Sequence, residues 1–248
     1  KILTKCISNR LTRTCKNLIH KNQTAIEGRN IQTNVIKLDL LKQFYKRITR
    51  CNAQNFRTDT GPYIVSLDFS QAFDTISQEF LKFSLGKYGI PNWLEEIIYQ
   101  INNSAKSAIQ TDRHLSFTID IKRSVRQGCS MSPILFALVT NPLLKLIEEN
   151  NNIEGLQNIK VMAHADDITV CLANGDSLVH LCETIKNFTK FTGLDLNFSK
   201  CKIIPFKTNF YSNAFRQIEN FRDFQIITRE MSTPILGLPF GLSVTANT

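Results

Sequence analysis

Val161-Met162-Ala163-His164-Ala165-Asp166-Asp167-Ile168-Thr169-Val170-Cys171-Leu172 sets two adjacent carboxylates between two short apolar runs. The flanks are rich in β-branched and small apolar residues, the composition of buried strands. Two such runs joined through a polar dipeptide predict a β-hairpin with the acidic pair at its tip, where solvent can enter. Two carboxylates ~4 Å apart repel by roughly 4 kcal/mol at an effective dielectric of about 20. A fold usually keeps such a pair for a divalent cation that both side chains can share. As a bare dipeptide, Asp166-Asp167 would equally suit a solvated acidic turn, and the rest of the chain has to separate the two readings.

Composition narrows the choice. A chain of 248 residues is long enough for a large domain with its own core. With 42% hydrophobic and 21% charged residues it matches soluble globular proteins. No apolar run approaches the ~20 residues that span a bilayer, and no signal peptide is visible at Lys1, so no membrane association is expected. The excess of 30 Lys and Arg over 21 Asp and Glu, a net charge of +9, suggests a polyanionic partner. The 7 cysteines form no C-x-x-C pair, and His20, His114, His164 and His180 do not join them at zinc spacing. Reduced thiols in an intracellular protein without structural zinc are expected.

Ahead of the hairpin the apolar period is first helical. Ile2, Leu3, Cys6, Ile7 and Leu11 predict a helix to about His20 with one basic face. It lacks a preceding cap, as if the chain opened in mid-structure like a fragment. Ile31, Val35, Leu38, Leu41, Tyr45 and Ile48 predict a second helix capped by Asn30, followed by a polar connection from Arg50 to Pro62. Tyr63-Ile64-Val65-Ser66-Leu67 reads as a buried strand ending in Asp68, a position where sheet proteins collect active-site ligands. A Ser77-capped helix with Phe80, Leu81 and Leu85 inward follows. The Gly89-Ile90-Pro91 break then leads to an Asn92-capped helix with Trp93, Ile97, Ile98 and Ile101 toward the core. Lys106–Thr111 and Leu115–Ile121 predict a hairpin around Asp112-Arg113-His114.

The segment Ser124 to Phe136 predicts a strand, a glycine loop at Gly128, and a buried helix with Ser132 as N-cap and Pro133 at its first position. Gly128 would let backbone approach a ligand without a side chain in the way. Beyond the acidic hairpin, Ser177–Phe191 is an amphipathic helix. Thr192–Lys202 is then expected as a turn and short strand rising to Lys200, and Pro234 to Gly241 as a small hairpin.

Helices on one face of an antiparallel sheet, with acids at two strand ends, make the α+β layout of a polymerase palm. Leu67-Asp68-Phe69-Ser70-Gln71-Ala72-Phe73-Asp74, Arg126-Gln127-Gly128-Cys129-Ser130-Met131-Ser132-Pro133, Ala163-His164-Ala165-Asp166-Asp167 and Gly193-Leu194-Asp195-Leu196-Asn197-Phe198-Ser199-Lys200 occur in the order of the reverse-transcriptase motifs. With Gln23…Gly28-Arg29 before them and Ile235 to Gly241 after, nearly the whole chain resembles the reverse transcriptase of non-LTR (LINE-type) retrotransposons. The resemblance implies part of the fingers over residues 1–60 and a palm over 61–248. The basic finger strand and the thumb are expected in the remainder of a longer polyprotein.

It implies RNA-directed DNA polymerase activity, a nucleotidyl transfer, on an RNA template, a DNA primer and dNTPs. Asp68, Asp166 and Asp167 would be catalytic carboxylates on two Mg²⁺ ions, replaceable by Mn²⁺, with Asp167 the supporting member. Phe73 would exclude a ribose 2′-hydroxyl, while Arg126, Gln127 and Gly128 would line the nascent base pair and template. Lys200 resembles the lysine that protonates departing pyrophosphate. His164 stands where the family usually has an aromatic residue that packs on the primer terminus. Two other readings share these residues: a catalytically impaired retrotransposon remnant that only binds nucleic acid, and an RNA-dependent RNA polymerase palm, against which the bulk of Phe73 argues.

Overall fold

The structure, a computed structural model, describes residues 1–50, 61–112, 114–206, 213–218, 221–227, 231–236 and 238–240. Two helices come first, α1 (Ile2–Cys15) and α2 (Gln32–Arg50), then strand β1 (Tyr63–Leu67). The short α3 (Ala72–Thr75) leads into α4 (Gln78–Lys87) and α5 (Asn92–Asn103), and an arm made of β2 (Lys106–Ser107) and β3 (Ile119–Asp120) follows. Helix α6 (Ser132–Glu149) runs into the hairpin β4 (Val161–His164) and β5 (Asp167–Leu172), then helix α7 (Gly175–Thr192). Strands β6 (Lys202–Pro205), β7 (Gln225–Ile226), β8 (Thr233–Ile235) and β9 (Leu238–Phe240) complete the order. No helix among the described residues is long and apolar enough to cross a membrane.

The sheet is built around β1. All five of its residues are buried, and it lies third in a five-stranded sheet of order β4-β5-β1-β6-β7. It pairs antiparallel with β5 on one side, Val65 opposite Val170, and with β6 on the other, Val65 opposite Ile203. Among the described strand pairs of this sheet, β6–β7 is the parallel one. Side chains alternate across the pleat. Tyr63, Val65, Leu67, Ile168, Val170 and Ile203 face a core formed with α1, α4, α6 and α7. Ile64, Met162, Cys171 and Ile204 face the other way, under Leu38, Leu41 and Tyr45 of α2 and Ile235, Leu236 and Phe240 of the β8–β9 hairpin. The expected helical layer is therefore joined by a second, smaller covering on the opposite face.

Local chemistry explains the element ends. Ser77 Oγ accepts from Phe80 N at the start of α4, and Asn174 Oδ1 accepts from Ser177 N at the start of α7. Asn30 Oδ1 accepts from Gln32 N, but α2 begins at Gln32, so the predicted cap stands one residue ahead of the N-cap position. Helix α7 stops at Gly193, whose φ is +78 and whose added Cβ would lie 2.6 Å from Thr75 O. Glycine is thus required there both for backbone conformation and for the close approach to α3. Helix α6 is buried nearly all round, as its unbroken apolar run requires.

Several expectations are corrected. Helix α1 ends at Cys15 rather than near His20, because Arg29 occupies the next carbonyls: its guanidinium donates to Lys16 O, Ile19 O and His20 O. Pro91, not Asn92, is the N-cap of α5, and no side chain caps it. Trp93 points outward at 60% exposed, while Ile98 is buried. The 106–121 hairpin forms only two short strands and one further bridge, and its apolar Leu115, Phe117 and Ile119 are exposed. Met131, not Ser132, is the N-cap of α6; the Ser132 hydroxyl instead donates to Arg126 O. The strand after α7 begins at Lys202, past Lys200, because Asn197 to Cys201 close a hydrogen-bonded turn. Residues 51–60, Arg113, Gly237 and Gly241, and the side chain of Ile48, lie outside the described residues.

Candidate active site

The β4–β5 hairpin closes through a two-residue loop, Ala165-Asp166, with His164 paired to Asp167. Ala165 adopts φ 53, the left-handed conformation that tight hairpin loops demand. Asp166 is exposed at the tip. The β1–β5 register ends at Leu67 opposite Ile168, so Asp68 and Asp167 stand next in line on adjacent strands. Asp68 leaves its strand between backbone bonds: its N–H donates to Cys201 Sγ (3.3 Å) and its carbonyl accepts from Asn197 N (2.9 Å). The three acids that the sequence separates by about a hundred residues are thus gathered at one end of the sheet.

By the alternation of the strands, Asp68 and Asp167 belong to the same face as Ser66 and Lys202, opposite the main helical core. Asp167 is half-buried, with Oδ2 accepting from Leu236 N (2.8 Å) in the β8–β9 turn and Oδ1 buried without a partner among the described residues. Burial pushes its carboxyl above the ordinary 3.8; Asp166 adds to the rise, and the Leu236 N–H, Lys202 and His164 oppose it. A raised folded value means the folded state holds the proton more readily than the unfolded chain. The contribution of this group to stability is then greatest below 3.8 and is lost as pH rises through the raised value. With metal chelated, Asp167→Asn is therefore expected to melt higher than the parent at neutral pH. The gap should narrow as pH falls toward 3.8. Thermal melts at several pH values check this, and a gap that does not change with pH would contradict it.

The loop carrying Arg126, Gln127 and Gly128 lies beside α3. Phe73 is partly buried, its ring stacked on Phe136 at 4.3 Å between centroids and 24° between planes. Its carbonyl accepts from Val125 N (2.8 Å). Gln127 Nε2 donates to Asp74 Oδ2 (3.0 Å), and Ser124 Oγ donates to Asp74 Oδ1 (3.3 Å). Asp74 thereby ties the loop carrying Arg126, Gln127 and Gly128 to the segment carrying Phe73. Arg126, Gln127 and Gly128 are all exposed. Gly128 has φ +77, and an added Cβ would meet nothing within 4 Å, so this backbone is open to a ligand.

His164 is held through Nδ1, 3.1 Å from Thr24 Oγ1. The same Thr24 hydroxyl lies 3.0 Å from Ala163 O, so it stands between that carbonyl and the ring nitrogen. Lys200 is exposed within the Asn197–Cys201 turn that runs beside Asp68. Sequence reasoning passed over Lys202, which pairs with Ser66 and bears electrostatically on Asp167. It also passed over Asp74 and Cys201. Nothing local in the sequence marks these three.

The carboxylates at the strand ends are oxygen donors, which suit Mg²⁺ or Mn²⁺. Among the described residues no three His, Cys, Asp or Glu side chains converge into a metal site by themselves. Mg²⁺ ordinarily takes one or two carboxylates and completes its octahedron with water and substrate phosphate. The Oδ1 of Asp167, without a partner among the described residues, and the exposed carboxylate of Asp166 are oxygen atoms that could serve such an ion.

An antiparallel sheet backed by helices, with carboxylates on a central strand and a neighbouring hairpin tip, defines a polymerase palm. Solved structures agree: the chain superposes on apo telomerase from Candida tropicalis with a TM-score of 0.61, covering 96% of this chain and 39% of that one at 13% identity. The reverse transcriptase (RNA-dependent DNA polymerase) family model matches residues 1–240. The chain belongs to that family.

Its curated relatives are proteins of non-LTR retrotransposons, as the motif order implied. It is 26% identical over 228 residues to the transposon TX1 uncharacterized 149 kDa protein of Xenopus laevis, covering 88% of this chain. It is 30% identical over 146 residues, 58% of this chain, to the retrovirus-related Pol polyprotein from type-2 retrotransposable element R2DM of Drosophila melanogaster. The chain spans 16% and 14% of the length of these two relatives.

Proposed function

We propose that this chain carries the palm, over residues 61–248, and part of the fingers, over 1–60, of a non-LTR retrotransposon polymerase that copies RNA into DNA. The observation that carries the proposal is the gathering of Asp68, Asp166 and Asp167 at one end of the β1–β5 pair. In the reaction the primer 3′-oxygen bonds to the α-phosphorus of a dNTP, the bond to the bridging oxygen breaks, and pyrophosphate leaves. Asp68 and Asp166 would hold Mg²⁺, with Asp167 supporting them through the field of its carboxylate. When bound, the metal lowers the pKa of the 3′-hydroxyl and neutralises charge on the triphosphate.

The protein's own part is positioning. Phe73 would face the sugar, and Arg126, Gln127 and Gly128 the nascent base pair and template. The His164 ring would pack at the primer end, and Lys200 would donate a proton to the departing pyrophosphate. The basic excess serves the phosphate backbone of primer and template. The remaining fingers and the thumb would come from the rest of a longer polyprotein.

Primer extension by the intact protein on an RNA template tests the proposal. Mg²⁺-dependent incorporation of dNTPs is expected, abolished by chelation and weakening steeply with salt as phosphate contacts are screened. Primer–template binding without any incorporation would leave the impaired remnant as the correct description.

A further inference from the structure

The Asp166 carboxylate makes no hydrogen bond to any described residue, so its place is set by its backbone alone. That backbone is held from outside the hairpin. Gln23 is fully buried, and its side-chain amide spans both main-chain polar groups of Ala165, the residue before Asp166. Gln23 Oε1 accepts from Ala165 N at 2.9 Å, and Gln23 Nε2 donates to Ala165 O at 3.1 Å. The same Oε1 accepts from Ala25 N at 3.1 Å. Ala165 is a non-glycine residue at φ 53, a conformation that persists where its surroundings fix it.

Gln23 is itself anchored at both ends. Its N–H donates to His20 O (3.0 Å), and its carbonyl accepts from Arg29 Nη1 (2.9 Å), the guanidinium that also gathers the carbonyls after α1. Its neighbours grip β4 along the outer edge of the sheet. Asn22 Nδ2 donates to Val161 O, Ala163 N donates to Asn22 O, and Thr24 N donates to Ala163 O. Gln23 forms a parallel bridge with Ala163. The edge strand is thus covered by a short segment whose central side chain reaches past the strand end to the turn.

The geometry points to Gln23 as a positioning residue for nucleotidyl transfer, fixing the Ala165-Asp166 turn and, through it, the Asp166 carboxylate. This rests on the polymerase reading of Asp166. A methionine at this position keeps the length of the side chain and removes all three hydrogen bonds. A glutamate keeps the acceptor for Ala165 N and Ala25 N but cannot, when ionised, donate to Ala165 O.

The test uses the intact protein with Gln23→Met and Gln23→Glu, measured in two ways. In the metal-chelated protein, amide hydrogen exchange at Ala165 is expected to quicken at least about tenfold in the methionine variant, while Val65 and Val170 in the sheet keep their protection. In the metal-loaded protein, the maximal rate of single-nucleotide addition is expected to fall about ten- to a hundredfold, with primer–template affinity within about twofold of the parent. The glutamate variant should lie between parent and methionine in both measurements.

Parental exchange at Ala165, or a parental rate in Gln23→Met while Asp166→Asn is inactive, overturns the inference. So does exchange that quickens equally across β1, β4 and β5, which would mark a general packing role. Should Asp166→Asn retain its rate, the catalytic reading of Asp166 fails, and the exchange measurement still decides whether Gln23 fixes the turn.

Discussion

Asp68→Asn and Asp166→Asn are each expected to slow nucleotide addition by about a thousandfold or more, roughly 4 kcal/mol of transition-state stabilisation. The amide is nearly isosteric with the carboxylate but carries no charge to hold a divalent ion. The fold should be preserved. The hydrogen bonds of Asp68 run through its main chain, to Cys201 Sγ and Asn197 N, and a side-chain change leaves them in place. Asp166 is exposed at a turn whose main chain is gripped by Gln23. Single-turnover extension paired with thermal melting separates the two quantities. Either variant extending a primer at near the parental rate with Mg²⁺ would remove that residue from the metal site.

Phe73→Val is expected to raise ribonucleotide use relative to deoxyribonucleotide use about ten- to a hundredfold, steric relief of ~1–3 kcal/mol. The stacked contact with Phe136 and the bond from Val125 N to the Phe73 carbonyl keep the parent ring from moving aside for a 2′-hydroxyl. Valine shortens the side chain and gives up the ring contact, with a stability loss of about 1 kcal/mol. Competition between rNTP and dNTP on one primer–template reads the ratio directly. A ratio unmoved by the substitution would end the gate assignment and favour an RNA-polymerase palm.

The parts of the fold that were legible in the sequence are those whose signal is local. The acidic hairpin could be read because two apolar runs of strand length flank one polar dipeptide, and β1 because five consecutive buried-type residues precede Asp68. Elements whose exposure depends on distant partners were less so. Trp93 and Phe117 have the composition of core residues and stand in solvent, since helical or strand spacing says nothing of whether another element covers that face.

The candidate site divides in the same way. Asp68 and Asp166 are proposed from strand ends and motif order, and the register places them at one end of the sheet. Lys202 was missed because the Asn197–Cys201 turn resets the alternation, moving the strand beyond Lys200. Gln23 gave no local sign of its reach, its partner Ala165 being 142 residues away.

The central strand has a consequence for synthesis of the chain. β1 is mostly apolar and fully buried, yet its partner β5 begins about a hundred residues later and β6 later still. At roughly 5–20 residues per second, the ribosome delivers β5 about 5–20 s after β1. Throughout that interval both edges of the strand lack their partners, and the segment is a short, sticky template of the kind that invites wrong pairing. Helix formation takes microseconds or less, so α4, α5 and α6 can form as they emerge and offer β1 an apolar surface on one face. The order in which the elements leave the ribosome therefore shields one face of the strand first and closes its two edges last.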